Sequence, residues 1–260
     1  MIFNAHTHYI LPGRSCRISD YRVVSHDEWK EKLLKNGVSG ALTMYCPPHL
    51  TLTHRDIDFF KENVALLEQL KKDDDLKWVP FAILSPFRNS GEELEELVNQ
   101  GFKGLKLISV FDGVPYSPEI YGELVETAGE LGIPTMIHTG WVKEAELVHV
   151  KKIVESFPDQ VYIIAHMRPD NEGSPGVHLE TLKYFLEQGF RVYQEISYVD
   201  HANRLKDAKE MGLVDRLLWG DDLPWGGMDT ETHLARVKNA LNGEDLRKVL
   251  WNNAGELFGS

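Results

Sequence analysis

Short apolar runs alternate with amphipathic stretches from one end of this chain to the other, and that rhythm limits the folds open to it. Strands are predicted at 2–8, 39–46, 77–84, 101–109, 133–139, 160–166, 190–197 and 216–222. Each is rich in β-branched, aromatic or aliphatic residues, and most are bounded by glycine, proline or charge. Between them, 57–71, 91–99, 117–131, 143–156, 177–188, 201–211 and 230–241 carry helical periodicity. Ile57, Phe60, Val64, Leu67 and Leu70 share one stripe, and Ser117 before Pro118 reads as an N-cap with a first-turn proline. Gly37, Gly101, Gly132 and Gly189 each stand between a helical stretch and a strand, where a left-handed residue ends a helix. Strands alternating with helices give a parallel sheet, and eight such strands close into a barrel. The expected fold is a (β/α)8 TIM barrel, one domain over residues 1–260. An open doubly wound sheet is the alternative. It would carry a glycine-rich phosphate turn after the first strand, where His6-Thr7-His8 stands instead.

The three longest irregular stretches, 9–25, 47–53 and 167–176, follow strands, on the face where barrel enzymes build their sites. The net charge of −12 argues against nucleic acid or an anionic membrane as the main partner, although Arg14, Arg17 and Arg22 cluster in one early loop. No signal peptide precedes His6 and no apolar run approaches the roughly 20 residues that span a bilayer, so the expected location is cytoplasmic. The two cysteines, Cys16 and Cys46, lack metal-type spacing and suggest no disulfide framework. The expected partner is a small-molecule substrate, and a homo-oligomer is left open.

The chemistry begins at His6 and His8. Residues two apart on a strand emerge on one face, and two neutral imidazoles converging from one strand end make half of a divalent-metal site. With eleven histidines in the chain, such a pair arises by chance often enough to carry little alone. The other strand ends add to it. His138 follows Met136-Ile137, His166 follows Ile164-Ala165, Asp222 precedes the closing loop, and Lys106 lies within Lys103-Gly104-Leu105-Lys106-Leu107-Ile108. Singly, each has a structural reading: a hydrogen-bonded core histidine, a helix N-cap, an ion-paired lysine. Buried charges need partners, and one shared cation would satisfy several of these groups together.

Taken in order, these motifs resemble the amidohydrolase superfamily, and within it the amidohydrolase 2 branch of metal-dependent hydrolases and decarboxylases. The likeness runs from His6-Thr7-His8 through Gly101–Lys106, Met136–Gly140, Ile164–His166 and Trp219–Trp225 to the closing Leu250–Phe258. It implies a distorted barrel with one or two divalent metals at its rim, zinc being the expected ion. A one-metal member would use His6, His8, His138 and Asp222, with His166 binding metal, orienting substrate or shuttling protons. Aligning the motif on Pro224 makes Asp222 the ligand-type aspartate and leaves Asp221 at a serine or threonine position. A two-metal member would need a bridging carboxylate from the fourth barrel strand, which Lys106 supplies only as a carbamate. Otherwise Lys106 stays cationic and pairs with Asp222, Glu195 or a substrate carboxylate. The chain departs from the pattern at Met167-Arg168-Pro169, at Leu107-Ile108-Ser109 and at Glu195-Ile196-Ser197, where substrate would be read. Arg168, the arginine-bearing loop after the first strand and Trp225 are candidate substrate contacts.

The resemblance implies hydrolysis first. A metal-activated water would attack an amide, ester or lactone carbonyl, with Asp222 as base and His166 or Lys106 polarising the carbonyl. The alternative is a non-oxidative decarboxylase of an aromatic or unsaturated acid. A metal-free barrel that only binds a ligand is a third reading. The deoxyribonuclease branch is a weaker fourth, because Lys106 replaces its glutamate. Of the remaining histidines, His149 and His233 are expected at the surface, and His49, His54, His178 and His201 in or near rim loops.

Overall fold

The computed structural model describes residues 1–19, 22–47, 57–167, 177–199, 202–225 and 229–259. Its strands are β1 (Ile2–Tyr9), β2 (Ser15–Ser19), β3 (Arg22–Ser25), β4 (Val38–Tyr45), β5 (Lys77–Ile83), β6 (Gly104–Leu107), β7 (Thr135–His138), β8 (Val161–Ala165), β9 (Arg191–Glu195) and β10 (Leu217–Leu218). Eight of them pair in parallel in the order β1-β4-β5-β6-β7-β8-β9-β10. Helices run between successive strands. The sheet nearly closes where the chain after β10 returns to β1. There Ala5 N donates to Trp219 O (2.7 Å), Asp222 N to His6 O (2.8 Å) and His8 N to Leu223 O (2.6 Å). The predicted (β/α)8 barrel is the fold observed.

β1 is buried continuously from Phe3 to Tyr9, as a parallel strand covered on both faces must be. At the helix ends Gly37, Gly101, Gly132 and Gly189 all hold positive φ, a conformation glycine adopts freely because it has no Cβ to clash. Ser117 is the residue before the helix Pro118–Glu130, yet its hydroxyl makes no capping bond; the proline does the N-terminal work there.

Four local features depart from the sequence expectation. The stretch 9–25 is not irregular: it holds the antiparallel hairpin β2–β3, and the helix His26–Lys35 follows, capped by the Ser25 hydroxyl. The predicted helix at 143–156 divides into a 3-10 turn, Lys143–Ala145, and a helix, Leu147–Ser156. Beyond 241 the chain adds Gly243–Arg247, a π-helical turn Lys248–Asn252 and the helix Asn253–Phe258, which set Trp251 and Phe258 against Phe3. Finally, β10 covers only two residues of the predicted 216–222: Trp219 N already donates outside the sheet to Val249 O (3.0 Å), and Asp222 further on adopts a left-handed φ of 53°. The rim stretches 48–53 and 168–176 lie outside the described residues. Among the described residues no helix is long and apolar enough to cross a membrane.

Candidate metal centre

β1 delivers two imidazoles to the inside of the barrel and turns Thr7 the other way, where its hydroxyl accepts from Trp29 Nε1 (3.1 Å). His6 and His8 are both buried, and each is anchored through Nδ1. His6 Nδ1 donates to Glu195 Oε2 (2.8 Å), and His8 Nδ1 donates to the Tyr45 carbonyl (3.2 Å). Donation from Nδ1 fixes the tautomer and leaves Nε2 as a lone-pair donor to metal. Both Nε2 atoms face the same carboxylate oxygen, Asp222 Oδ1, at 3.1 Å from His6 and 3.3 Å from His8. Two imidazole lone pairs and a carboxylate within 4.8 Å of one another form a donor set suited to a divalent cation. Burial, and then the Lys106 ammonium, hold the His6 ring well below its usual pKa, so it stands neutral as a ligand must.

The adjacent aspartates divide their work. Asp222 turns into the site through its left-handed backbone. Asp221 turns away and accepts from Asn4 Nδ2 (2.8 Å), Leu223 N (3.1 Å) and Thr230 Oγ1 (2.6 Å), tying the rim loop to β1 and to the helix Thr230–Ala240. Burial pushes the Asp221 carboxyl up to about 6, against those three donors. Gly220 lets this segment approach β1: a Cβ there would lie 2.6 Å from Glu195 Oε1 and 2.9 Å from the His6 backbone nitrogen.

Glu195, at the end of β9, is the hub beneath the site. Besides His6, its Oε2 accepts from the His166 backbone N–H (3.1 Å) and Ser197 Oγ (2.8 Å), and its Oε1 accepts from Ser197 N (2.5 Å). Burial pushes its carboxyl up to about 8, opposed by the Ser197 bonds. His6, His166 and Glu195 are also close enough to form a ligand group, but these hydrogen bonds already occupy the carboxylate. His166, with φ 73°, stacks on His6; its Nδ1 pairs with Ser197 Oγ (2.7 Å) and its Nε2 with His138 Nδ1 (3.0 Å). A continuous chain of polar contacts thus links His6, Glu195, Ser197, His166 and His138.

Lys106 is fully buried, its Nζ 3.4 Å from His6 Nε2. Burial pulls its ammonium down to about 8, against the pull of Asp222 and Glu195. Above this floor lies a cavity of about 220 Å³, where Lys106, His8, His138 and Asp222 supply the polar groups. Its walls are Pro47, Ile108, Val110, Phe111, Trp141, Tyr198 and Trp225.

The structure therefore brings His6, His8 and Asp222 to one point and places Lys106 against them. His138 and His166 lie beside that cluster rather than within it. Trp225 lines the cavity as expected. Arg14 does not reach in: it is half-exposed and bonded to Glu62. His233 is buried, not on the surface, and lies tilted against Trp219, ring centroids 6.0 Å apart, because the helix Thr230–Ala240 turns that face to the barrel. His178 is likewise buried and pairs with Gln194 (3.2 Å). Arg168, His49, His54 and His201 lie outside the described residues. Sequence reasoning missed Trp141 and Tyr198, and read Glu195 as a partner for Lys106 or part of a substrate-reading departure, not as the anchor of His6. The signal for Glu195 was a carboxylate at the end of a strand otherwise buried.

Residues 54–260 match the family model described as Amidohydrolase. No curated protein matches the sequence. Among solved structures, the chain resembles 2,6-dihydroxybenzoate decarboxylase from Rhizobium at 16% identity and a TM-score of 0.70, covering 99% of this chain and 98% of that one. It also resembles a 5-carboxyvanillate decarboxylase from Novosphingobium aromaticivorans complexed with manganese and a nitrobenzoic acid, at 15% identity and a TM-score of 0.70, over 89% and 79% of the two chains. A third similar structure is a probable 2-pyrone-4,6-dicarboxylic acid hydrolase from Acinetobacter baumannii, at 16% identity and a TM-score of 0.64, over 100% and 99%.

Proposed function

This chain belongs to the amidohydrolase family, and from that premise we propose that it is a metal-dependent lyase removing carboxylate, as CO2, from a small planar acid. The observation that carries the reading is the contrast within the cavity: a floor of Lys106, His8, His138 and Asp222 under walls that are aromatic and aliphatic. An apolar cavity of about 150 Å³ already admits benzene, so about 220 Å³ accommodates one ring with its substituents. Sequence reasoning ranked hydrolysis ahead of decarboxylation. The apolar walls favour the second, since they suit a flat ring and exclude water from a carboxylate about to lose its charge.

His6 Nε2, His8 Nε2 and Asp222 Oδ1 would hold the cation, with His138 the nearest further candidate on the cavity wall. Zinc and manganese both suit two imidazoles and a carboxylate. Bound there, a divalent ion polarises an oxygen of the substrate and acidifies a neighbouring water. The rest falls to the protein. The Lys106 ammonium pairs with the substrate carboxylate and sets its orientation. Trp141, Phe111 and Trp225 confine the ring. When the carbon–carboxylate bond breaks, its electron pair stays on the ring carbon, and His138 delivers the proton that completes the new C–H bond. His166, held by Ser197 and Glu195, keeps His138 oriented and connects it to further protons.

Hydrolysis remains as a second reading, because Asp222 beside an acidified water is equally placed as a general base. Incubating metal-loaded protein with hydroxybenzoates, unsaturated diacids and lactones separates the two. CO2 release supports the lyase. Acid release from lactones alone supports the hydrolase, and neither product from a fully metallated protein rejects both.

A further inference from the structure

Cys16 and Cys46 stand 30 positions apart, and sequence spacing suggests no bond between them. The fold brings their sulfurs to 2.7 Å. Cys16 is buried in β2, and Cys46 directly follows β4 and is partly exposed. Both are free thiols, and both sulfurs lie 3.5 Å from the Pro47 carbonyl. Pro47 itself lines the cavity, so the pair sits where the β2–β3 hairpin meets the pocket rim.

We propose that Cys16 and Cys46 are an oxidisable dithiol that closes to a disulfide and staples the hairpin to the rim of the cavity. A disulfide bond spans about 2.05 Å, so closure asks for less than about 1 Å of sulfur movement. Burial and the neighbouring Cys16 thiol push the Cys46 thiol well above its usual range, so at neutral pH Cys46 rests as a thiol. The partly exposed rim suits a small oxidant such as a peroxide. One sulfur, as thiolate, attacks a peroxide oxygen: an S–O bond forms, the O–O bond breaks, and the departing hydroxide takes a proton to become water. The second sulfur then attacks the first, forming S–S and breaking S–O, and a second water leaves. Two thiols are oxidised and one peroxide is reduced to two waters. The ring so closed holds the hairpin and the helix His26–Lys35. The inference does not depend on the reaction proposed above, and its test reads thiols rather than turnover.

The purified protein is treated with hydrogen peroxide at mildly alkaline pH, unfolded, alkylated with a maleimide and mapped by mass spectrometry. The expected result is an intact mass lower by two hydrogens, no alkylated thiol, and a linked peptide joining residues 16 and 46. The thermal midpoint of the oxidised protein rises, and dithiothreitol reverses both changes. Cys16→Ser loses the linked peptide and the rise; should that variant fail to fold, the wild-type mass data decide alone. Alkylation of both cysteines after oxidation overturns the proposal. So does oxygen added to either sulfur without a linked peptide, or a link formed only between two chains.

Discussion

His6 Nδ1 donates to Glu195 Oε2 at 2.8 Å, so a residue near the start of the chain is oriented by one 189 positions later. The opposite nitrogen of the same ring faces Asp222 Oδ1 at 3.1 Å. A carboxylate behind a ligating histidine fixes its tautomer and raises its basicity, and its loss costs about 10–100-fold in metal affinity. Glu195→Gln is expected to weaken zinc or manganese binding by about that factor while leaving the fold intact, since Gln can still accept one of the Ser197 bonds. Titration calorimetry on chelator-stripped protein measures it. An unchanged affinity would mean that the proposed centre is not at His6.

The two neighbouring aspartates give a sharper contrast. Asp222→Asn is expected to reduce metal affinity by at least about 100-fold, because the shared charge between the two imidazoles is lost. Asp221→Asn keeps an oxygen for Asn4 and Leu223 and gains an N–H for the Thr230 hydroxyl, so metal affinity should stay within a few-fold of the parent. Elemental analysis of both purified variants tests the pair. Metal loss in the Asp221 variant with retention in the Asp222 variant would reverse the assignment.

How much of this was legible beforehand follows from the range of each interaction. The eight strands, the glycine helix ends and the inward pair at His6 and His8 are local periodicities, and the sequence states them directly. Asp222 was identified over Asp221 only by aligning the resemblance on Pro224; the left-handed turn that aims it is a backbone event that residue types alone do not declare. The His6–Glu195 bond and the approach of Gly220 to His6 are set by barrel closure, and the meeting of Cys16 with Cys46 by the packing of the β2–β3 hairpin against the end of β4. Nothing in local composition encodes which strand ends become neighbours. His233 was misplaced for the same reason: a lone polar residue on a helix reads as surface until the packed face is known.

Gly220 ties closure to chemistry. An alanine Cβ there would sit 2.6 Å from Glu195 Oε1, 2.7 Å from His6 Cβ and 2.9 Å from His6 N, and the two His6 atoms are held by β1 and cannot swing aside. Gly220→Ala should cost about 1–3 kcal/mol of stability, the usual penalty of overpacking, and lower metal affinity as well. Denaturant unfolding and metal titration read the two effects. A fully stable, fully metallated variant would contradict the observed closeness of the segments.

Lys106 gives a pH signature whose sign can be worked out. Its ammonium falls from 10.5 to about 8 on burial in the folded chain. Below about 8 both folded and unfolded chains carry the proton, and the full cost of burying the charge is present. Between about 8 and 10.5 the folded chain has released a proton that the unfolded chain still holds, so stability contributed by this group rises with pH. Lys106→Met removes the group with little change in volume. In chelator-stripped protein, where no bound cation adds its charge, the variant should be the more stable near neutral pH, and its advantage should shrink as pH climbs through that window. The difference between the two unfolding curves isolates the lysine from the tyrosines that titrate nearby. In metal-loaded protein the same variant should raise KM for a carboxylate substrate far more than it lowers binding of the metal. A stability difference that is flat with pH, together with an intact mass larger by one CO2, would instead identify Lys106 as a carbamate.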